Sequence, residues 1–410
     1  MNVDLTAVAI SHPPAPSGEL GHKTSVWAQA VARPHICFLS MNLFPILTAS
    51  ADIEFAGGGE VQQAILAKAL RSDGYRVSVL TADHGQPDVV DCEGVQVYRV
   101  PRPGRRGIKG LRFIHPLITD VVAGLNAIDP DIVYHRVAGF RAVAAAWYAR
   151  TRGKRFVYAC ASDREFQCRD VSRLPRRDEF LFRMALRSAD AILVQNVRQK
   201  ELLKSNFGRE AVVVPNCYWE LGAGHAAHDG PVVWVGTFKP VKRPELFIEL
   251  ARQFPSRKFV IVGGADNIND PGQAFHRRMR AMAADVENLD FIGYVPFAEV
   301  GRYFDDASLF VNTSDSEGFP NTFLQAWIRC LPTLSFVRPE VIPGLVGTIT
   351  CSDISDMTFR IEALLANREA WQAASDACDA HFHKNHSVEA GLKHYRELFQ
   401  RLSAHHVWSE

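Results

Sequence analysis

From His35 onward the chain alternates short apolar runs with stretches of helical periodicity. HICFLS, RVSVLTAD, VQVYRV, DIVYHR, RFVYACAS and DAILVQN are rich in β-branched and aromatic residues, as strands are. Between several of them lie helical patterns. In EVQQAILAKALRSDG, Val61, Ile65, Leu66 and Leu70 share one face, and Gly74 stands just past the end as a C-terminal cap would. Strands apolar on both faces, separated by helices, predict a parallel sheet covered on each side. The alternation breaks at PNCYWELGAGHAAHDGP, Pro215 to Pro231, whose composition suits a linker. It restarts in PVVWVGTF, KFVIVGG, LDFIGYV, SLFVNTS and PTLSF, with helical stretches such as PELFIELARQF and FAEVGRYFDDA between them. Thr358 to Ser403 reads as helices alone. The pattern therefore predicts two α/β domains, residues 35–214 and 232–385, joined by a linker at 215–231 and followed by a helical end, 386–410. Residues 1–34, with Pro, Ser and Gly throughout, read as a disordered extension.

Composition narrows the class. The 410 residues suffice for two or three domains of about 150 residues each. A formal net charge of +1 gives no reason to expect nucleic acid as a partner. No apolar run reaches the roughly 20 residues that cross a bilayer. The start MNVDLTAVAISHPPAPSGELGHK lacks the basic, then apolar, order of a signal peptide, so a cytoplasmic location is expected. Eight scattered cysteines without a C-x-x-C pair read as reduced, mostly buried thiols.

In open parallel sheets, ligands bind at the carboxyl ends of strands beside helix N-termini. Three loops fall at such places. AGGGEVQQ, Ala56 to Gln63, brings Gly58 and Gly59 before a helix; an ordinary loop and a phosphate-approaching loop both fit. It is not G-x-G-x-x-G, which argues against a dinucleotide-linked Rossmann enzyme. VGTFKPVKRPELF follows a strand with Gly236, then Lys239, Lys242 and Arg243 just before Pro244 opens a helix. Cations there oppose the helix dipole, which makes sense if an anion sits between them; the plain reading is a solvated turn. SDSEGFPNTFLQAW carries Glu317, Gly318, Phe319 and Pro320 ahead of a helix capped by Asn321 or Thr322, with Gln325 one turn in on the same side. Glu317 can accept from hydroxyls, the helix amides can face a phosphate, and Gln325 can reach a neighbouring hydroxyl. Together these fit a sugar diphosphate. His135 and Asp163 end their strands toward the same cleft, where each could orient an acceptor or relay its proton, or be a satisfied structural residue.

The SDSEGFPNTFLQAW run resembles the donor-binding signature of retaining glycosyltransferase family 4, of the GT-B fold. The likeness extends from about His35 to Leu402 through GGGEVQQ, PDIVYHR, VVVPN, WVGTFKPVKRPELFIELA, FVIVGG, FIGYV and LPTLSF, in order. It implies two Rossmann-like domains facing across a cleft, the first binding acceptor and the second the nucleotide sugar, with C-terminal helices returning to the first. It implies transfer of a sugar from a UDP- or GDP-linked donor to an acceptor hydroxyl, with retention and without a metal or other cofactor. In that picture Glu317 contacts sugar hydroxyls, and the backbone at Phe319 to Thr322 holds the sugar and diphosphate. Lys242 neutralises the leaving diphosphate, Gly58 and Gly59 let the first domain close, and Gly293 and Tyr294 border the base. Two departures stand out. Gly236-Thr237 replaces the family's Gly-Arg, so Lys239 or Arg243 would have to supply that cation, and Gln325 replaces its second Glu. The expected activity is that of a hexosyltransferase-type enzyme in polysaccharide or glycolipid synthesis, with a glycan or lipid-linked acceptor. The alternatives are a nucleotide-sugar 2-epimerase on the same fold and a catalytically degenerate nucleotide-sugar-binding protein.

Three further features are weighed against this picture. RVPRPGRRGIKGLRF, Arg99 to Phe113, holds six bases and no acids. It is a solvated loop or a peripheral dock for the anionic inner face of a membrane, worth roughly 1 kcal/mol per base. Few aromatics interleave with its charges, against nucleic acid. HFHKNH, with His381, His383 and His386, looks metal-like, but a solvated helix face is the expected reading. Asp129-Pro130-Asp131 precedes IVYHR, at the wrong end for a cleft, and is expected only to shape a turn.

Overall fold

The computed structural model describes residues 33–48, 57–100, 113–167, 176–219, 226–265, 270–338 and 350–404. The expected N-terminal extension, apart from its last two residues, and most of the basic Arg99 to Phe113 loop lie outside the described residues.

The first sheet contains β1 (His35–Leu39), β2 (Arg76–Thr81), β3 (Val89–Cys92), β4 (Val95–Arg99), β5 (Ile132–Arg136), β6 (Arg155–Ala159), β7 (Ala191–Val194) and β8 (Val212–Val213). Their spatial order is β3-β4-β2-β1-β5-β6-β7-β8. All pairs are parallel except β3 with β4. Around the sheet run α1 (Leu43–Leu47), α2 (Gly58–Ser72), α3 (Thr119–Ile128), α4 (Phe140–Arg152), α5 (Arg176–Ser188) and α6 (Val197–Phe207). All five residues of β1 are buried, as its unbroken apolar run requires of a central strand covered on both faces. β3 is an unpredicted strand. It is an edge strand whose outer positions stay in solvent, so it carries no continuous apolar signal. A two-residue turn at Glu93 and Gly94, both with positive φ, returns it to β4.

The second sheet has the order β11-β10-β9-β12-β13, all parallel: β9 (Val232–Val235), β10 (Phe259–Val262), β11 (Leu289–Gly293), β12 (Leu309–Asn312) and β13 (Thr333–Ser335). Its helices are α7 (Pro244–Gln253), α8 (Asp270–Ala283), α9 (Phe297–Val300), α10 (Asn321–Trp327), α11 (Ile354–Ala366), α12 (Arg368–Asn385) and α13 (Val388–Ala404). In each sheet the strand order reverses at its first strand: β1 lies between β2 and β5, and β9 between β10 and β12. Such switch points open a crevice at the carboxyl ends of the strands.

Two helices tie the sheets together. The apolar stripe of α2 divides between two cores: Val61 and Ile65 pack with Val233, Phe310 and Trp327, while Leu66 and Leu70 pack with Ile36 and Phe38. The last helix, α13, buries Leu392, Tyr395, Leu398, Phe399 and Leu402 in the first sheet's core, and its Arg396 grips Asp73 at the end of α2 at 2.9 Å. The chain passes between the sheets twice at one place, where the Tyr218 amide donates to the His386 carbonyl at 2.8 Å. The segment expected to be a plain linker is therefore partly interior, with Asn216, Cys217 and Tyr218 buried.

The solvated-face reading of HFHKNH is corrected. His381 and His386 are buried against Trp327, and His386 Nδ1 lies 2.7 Å from the Asn216 carbonyl oxygen. Only His383 faces solvent. Among the described residues no three His, Cys, Asp or Glu side chains could hold a metal ion. Asp129 ends α3 in a left-handed turn and Asp131 accepts from the His35 amide, both at the start of β5 and away from the crevice. The seven described cysteines are free thiols.

Candidate functional site

The crevice between the two switch points is a cavity of about 350 Å³. From the first domain, Gly58 and Gly59 at the start of α2 line it. From the second come Gly236 after β9, Lys242, Tyr294 after β11, the Glu317–Thr322 loop after β12, and Gln325 of α10. Sequence spacing alone could not tell that these chain regions, up to 267 positions apart (325 − 58), meet at one place.

The centre of the site is an ion pair between Lys242 and Glu317. Lys242 ends a 3-10 turn, Pro240–Lys242, and its own carbonyl accepts from Thr313 Oγ1 at 2.8 Å. Thr313 in turn accepts from Trp234 Nε1 at 3.0 Å, and the Asp315 amide donates to the Val241 carbonyl at 2.9 Å. The two loops are thus pinned side by side. Glu317 also accepts from Ser314 Oγ at 2.7 Å. The ammonium and the carboxylate, both largely out of water at 22% and 13% side-chain exposure, pair at the wall of the cavity. An anion arriving from the cavity can take the ammonium while the carboxylate turns to hydroxyls.

Amides hold the Glu317–Thr322 loop against the first domain. Asn196 Nδ2 donates to the Gly318 carbonyl at 3.3 Å, and Asn216 Nδ2 to that of Phe319 at 3.4 Å. Asn321 does not cap α10, as the sequence suggested. Pro320 occupies that position, and Asn321 Nδ2 crosses to the Gly58 carbonyl at 2.8 Å while its Oδ1 accepts from Gln62 Nε2 at 3.1 Å. The helix start is extended at Pro320, so the side chain after it is thrown toward the other domain. Gln325 lines the cavity but is buried, and its Nε2 donates to the Tyr218 hydroxyl at 3.0 Å. That bond leaves the amide oxygen as the group able to meet a ligand hydroxyl.

Five of the candidates do not line this cavity: Arg243, Lys239, Gly293, His135 and Asp163. Arg243 bonds Glu245 and Asp315, so the turn that carries it points its guanidinium at neighbours of its own domain. Lys239 precedes the 3-10 turn and does not line the cavity. Neither substitutes there for a cation at Thr237. Gly293, with φ +84°, accepts from the Gly263 amide at 2.8 Å and supports the wall, while Tyr294 forms it. His135 is buried with Nδ1 2.8 Å from the Leu39 carbonyl oxygen, and burial pulls its pKa down to about 4. It is a structural residue of the β1–β5 seam, because β5's alternation turns it toward the backbone and Arg136 toward the cleft.

Asp163 lies in a neighbouring cavity of about 430 Å³, which shares Glu317 and Gly318 with the first and is also lined by Asn196, Arg198 and Arg338. Burial raises its pKa, opposed by a hydrogen bond from Gln199 Nε2 at 3.0 Å and by Arg198. A carboxyl raised on folding keeps its proton to higher pH in the folded protein than in the unfolded chain. Stability is therefore lost as pH rises from the ordinary carboxylate range through the raised value. Asp163→Asn is expected to flatten that loss and to leave the protein at least as stable at neutral pH. Urea melts at about pH 4 and about pH 8 read the difference; a steeper loss in the variant would mean that the buried carboxylate is net stabilising.

The residues missed by sequence reasoning are Arg136, Gln195 and Asn216, which line the cavity from the first domain and the crossover. Arg136 and Gln195 read locally as polar ends of strands and Asn216 as part of a linker, and only the topology brings them together.

Residues 56–218 match the model of Glycosyltransferase Family 4, and residues 230–367 match that of Glycosyl transferases group 1. One match lies in each domain, and the chain belongs to the glycosyltransferases that these models describe. The O-antigen biosynthesis glycosyltransferase WbnH of Escherichia coli is 30% identical over 105 residues, which are 25% of this chain and 27% of that protein. The match thus spans about a quarter of that relative's length. Sucrose-phosphate synthase from Thermosynechococcus elongatus superposes with a TM-score of 0.72 at 18% identity, over 91% of this chain and all of the other. HepE of Anabaena, solved in complex with UDP and glucose, gives 0.66 at 15% identity over 89% of this chain and 99% of its own. At these identities the two structures establish the fold. No helix among the described residues is long and apolar enough to cross a membrane.

Proposed function

We propose that the protein transfers a hexosyl group from a nucleoside-diphosphate sugar to an acceptor hydroxyl, with retention of configuration, in the synthesis of a glycan or glycolipid. The observation that carries this reading is the Lys242–Glu317 pair at the junction of the glycine loop, the post-β9 turn and the post-β12 loop, inside a cavity large enough for a nucleotide sugar. Tyr294, at the far wall, offers a ring for the base, and packs against Gly264. The diphosphate sits by Lys242 and the Gly318–Thr322 backbone, and Glu317 accepts from sugar hydroxyls.

In the reaction the bond from the sugar's anomeric carbon to the diphosphate oxygen breaks, and its electron pair leaves with the diphosphate. Fixed positive groups in a water-poor site lower the cost of that developing charge. Lys242 supplies the charge here, so no metal is required. The acceptor oxygen then bonds to the anomeric carbon on the face that the diphosphate left, and its proton passes to a phosphate oxygen. The acceptor comes from the side of the second cavity, where Asp163, Asn196 and Arg198 can orient a hydroxyl or an adjacent anionic group. Likeness to an O-antigen enzyme supports a surface-polysaccharide acceptor, and a location on the cytoplasmic side, in peripheral contact with the membrane, fits a lipid-linked one.

Calorimetric titration with UDP, GDP and ADP, with and without chelator, tests the reading. One nucleotide is expected to bind, equally well with chelator. Binding that disappears with chelator would overturn the metal-independent site, and binding of none of the three would overturn the donor site itself.

A further inference from the structure

Only three charged side chains line the 350 Å³ cavity among its described residues: Lys242, Glu317 and Arg136. Lys242 and Glu317 pair with each other. Arg136 is left as the charge without a salt bridge. It ends β5, is 7% exposed, and makes no ion pair among the described residues. Its hydrogen-bond partners are neutral amides: Nη2 donates to Asn216 Oδ1 at 3.2 Å, and in its better-satisfied orientation the Gln195 amide oxygen accepts from the same nitrogen at 2.6 Å. A carboxyl within its electrostatic reach, Glu165, has its pKa raised by burial and accepts instead from the Tyr158 hydroxyl and the Ala161 amide. Its Nε is buried with no hydrogen-bond partner at all. Guanidinium groups keep their charge in proteins, and a buried charge without an opposite one is costly. The cost is sensible at a place where an anion is to be received.

The surroundings fit that use. A Cβ built on Gly59 would come within 3.8 Å of Arg136 Cδ, so the arginine stands against the first turn of α2. That helix has fifteen residues and no side chain capping its start; Glu60 in its first turn offsets part of the positive field of its amide ends, which leaves Arg136 as the first domain's full positive charge at the cavity. Arg136 Nε, the unpartnered donor, would lie 3.9 Å from a Cβ on Gly59, and both residues line the cavity.

We infer that Arg136 receives an oxyanion of the donor, as the first domain's cationic contribution to a site otherwise built by the second. The inference rests on the donor reading above. An oxyanion here has two sources: the diphosphate, or a carboxylate on the transferred sugar. Either makes donor binding and domain closure one event, because Arg136 belongs to one domain and Lys242 to the other.

The test is calorimetry on the full chain and on Arg136→Gln and Arg136→Lys. The probes are the nucleoside diphosphate bound by the unmodified protein and its hexose- and hexuronate-linked forms. Folding is checked by thermal melts. Loss of a charge-assisted hydrogen bond should weaken binding about 10- to 100-fold. If Arg136→Gln loses that factor for the bare diphosphate, with Arg136→Lys between, the diphosphate is the partner. If the loss is confined to the hexuronate form, the carboxylate is. If both folded variants bind all three probes as the unmodified protein does, Arg136 only clasps Asn216 and the inference falls while the donor site stands. Failure of the unmodified protein to bind any nucleotide takes down the donor site, and this inference with it.

Discussion

Lys242→Ala is expected to lower kcat/KM for sugar transfer about a thousandfold, a transition-state loss of the size seen when a preorganised electrostatic partner is removed. The loss should fall mainly on kcat, because the charge on the diphosphate grows as the glycosidic bond breaks. Stability should change little. Lys242 sits on a surface turn whose backbone is held by Thr313 and Asp315, and those bonds do not involve its side chain. Glu317 keeps its bond from Ser314 and can hydrate through the cavity. Steady-state kinetics with the preferred nucleotide sugar, beside a thermal melt, measure both. A fall of less than about tenfold would remove Lys242 from the role of neutralising the leaving group. Glu317→Gln separates the two halves of the pair: it should spare binding of the bare nucleotide diphosphate and weaken turnover, since its proposed partners are sugar hydroxyls.

The second large effect is expected from a single methyl group. A Cβ at Gly263 would lie 1.8 Å from the Gly236 carbonyl oxygen, a backbone atom that cannot rotate away. Gly263 follows β10 and Gly236 follows β9, so the clash forces apart two neighbouring strands at the point where they open into the cavity. Gly263→Ala is expected to cost about 3 kcal/mol, at the upper end of overpacking penalties. It should also abolish measurable nucleotide binding, because both glycines line the site. Urea denaturation followed by tryptophan fluorescence reports the first, since Trp234 lies beside Gly236, and calorimetry the second. A variant of unchanged stability that binds nucleotide normally would show that the strands can part without cost, against the close packing seen there.

Glycines of this kind mark how far the sequence could be read. The run of glycines before α2 and the Gly-Phe-Pro after Glu317 were legible as loops at the carboxyl ends of strands, because their order follows strands with unmistakable apolar cores; whether the glycine run was more than an ordinary loop was not. Gly263 was hidden in an ordinary strand ending, FVIVGG, and its importance lies wholly in a carbonyl 27 positions away (263 − 236). Asn321 was legible as a polar residue at a helix start, and the expected cap was the reasonable local use. Its actual bonds go to Gly58 and Gln62, in the other domain.

The sequence by itself determined the two sheets, most of the helices between them and the residue types that the second domain's loops carry. Those follow from periodicity, turn composition and residue type within a few positions of each other, where the physics is local. Only the tertiary structure decided which charges share a cavity. It set Lys242 on Glu317, turned Arg243 to Glu245 and Asp315, and buried His135 in a strand seam. It also brought Arg136 in from the first domain. The reason is that a parallel sheet points alternate residues of each strand to opposite sides, while the strand order decides which strand ends become neighbours. Alternation can be read along the chain. The neighbours exist only once crossovers such as the one at Tyr218 and His386 have brought the strand ends together.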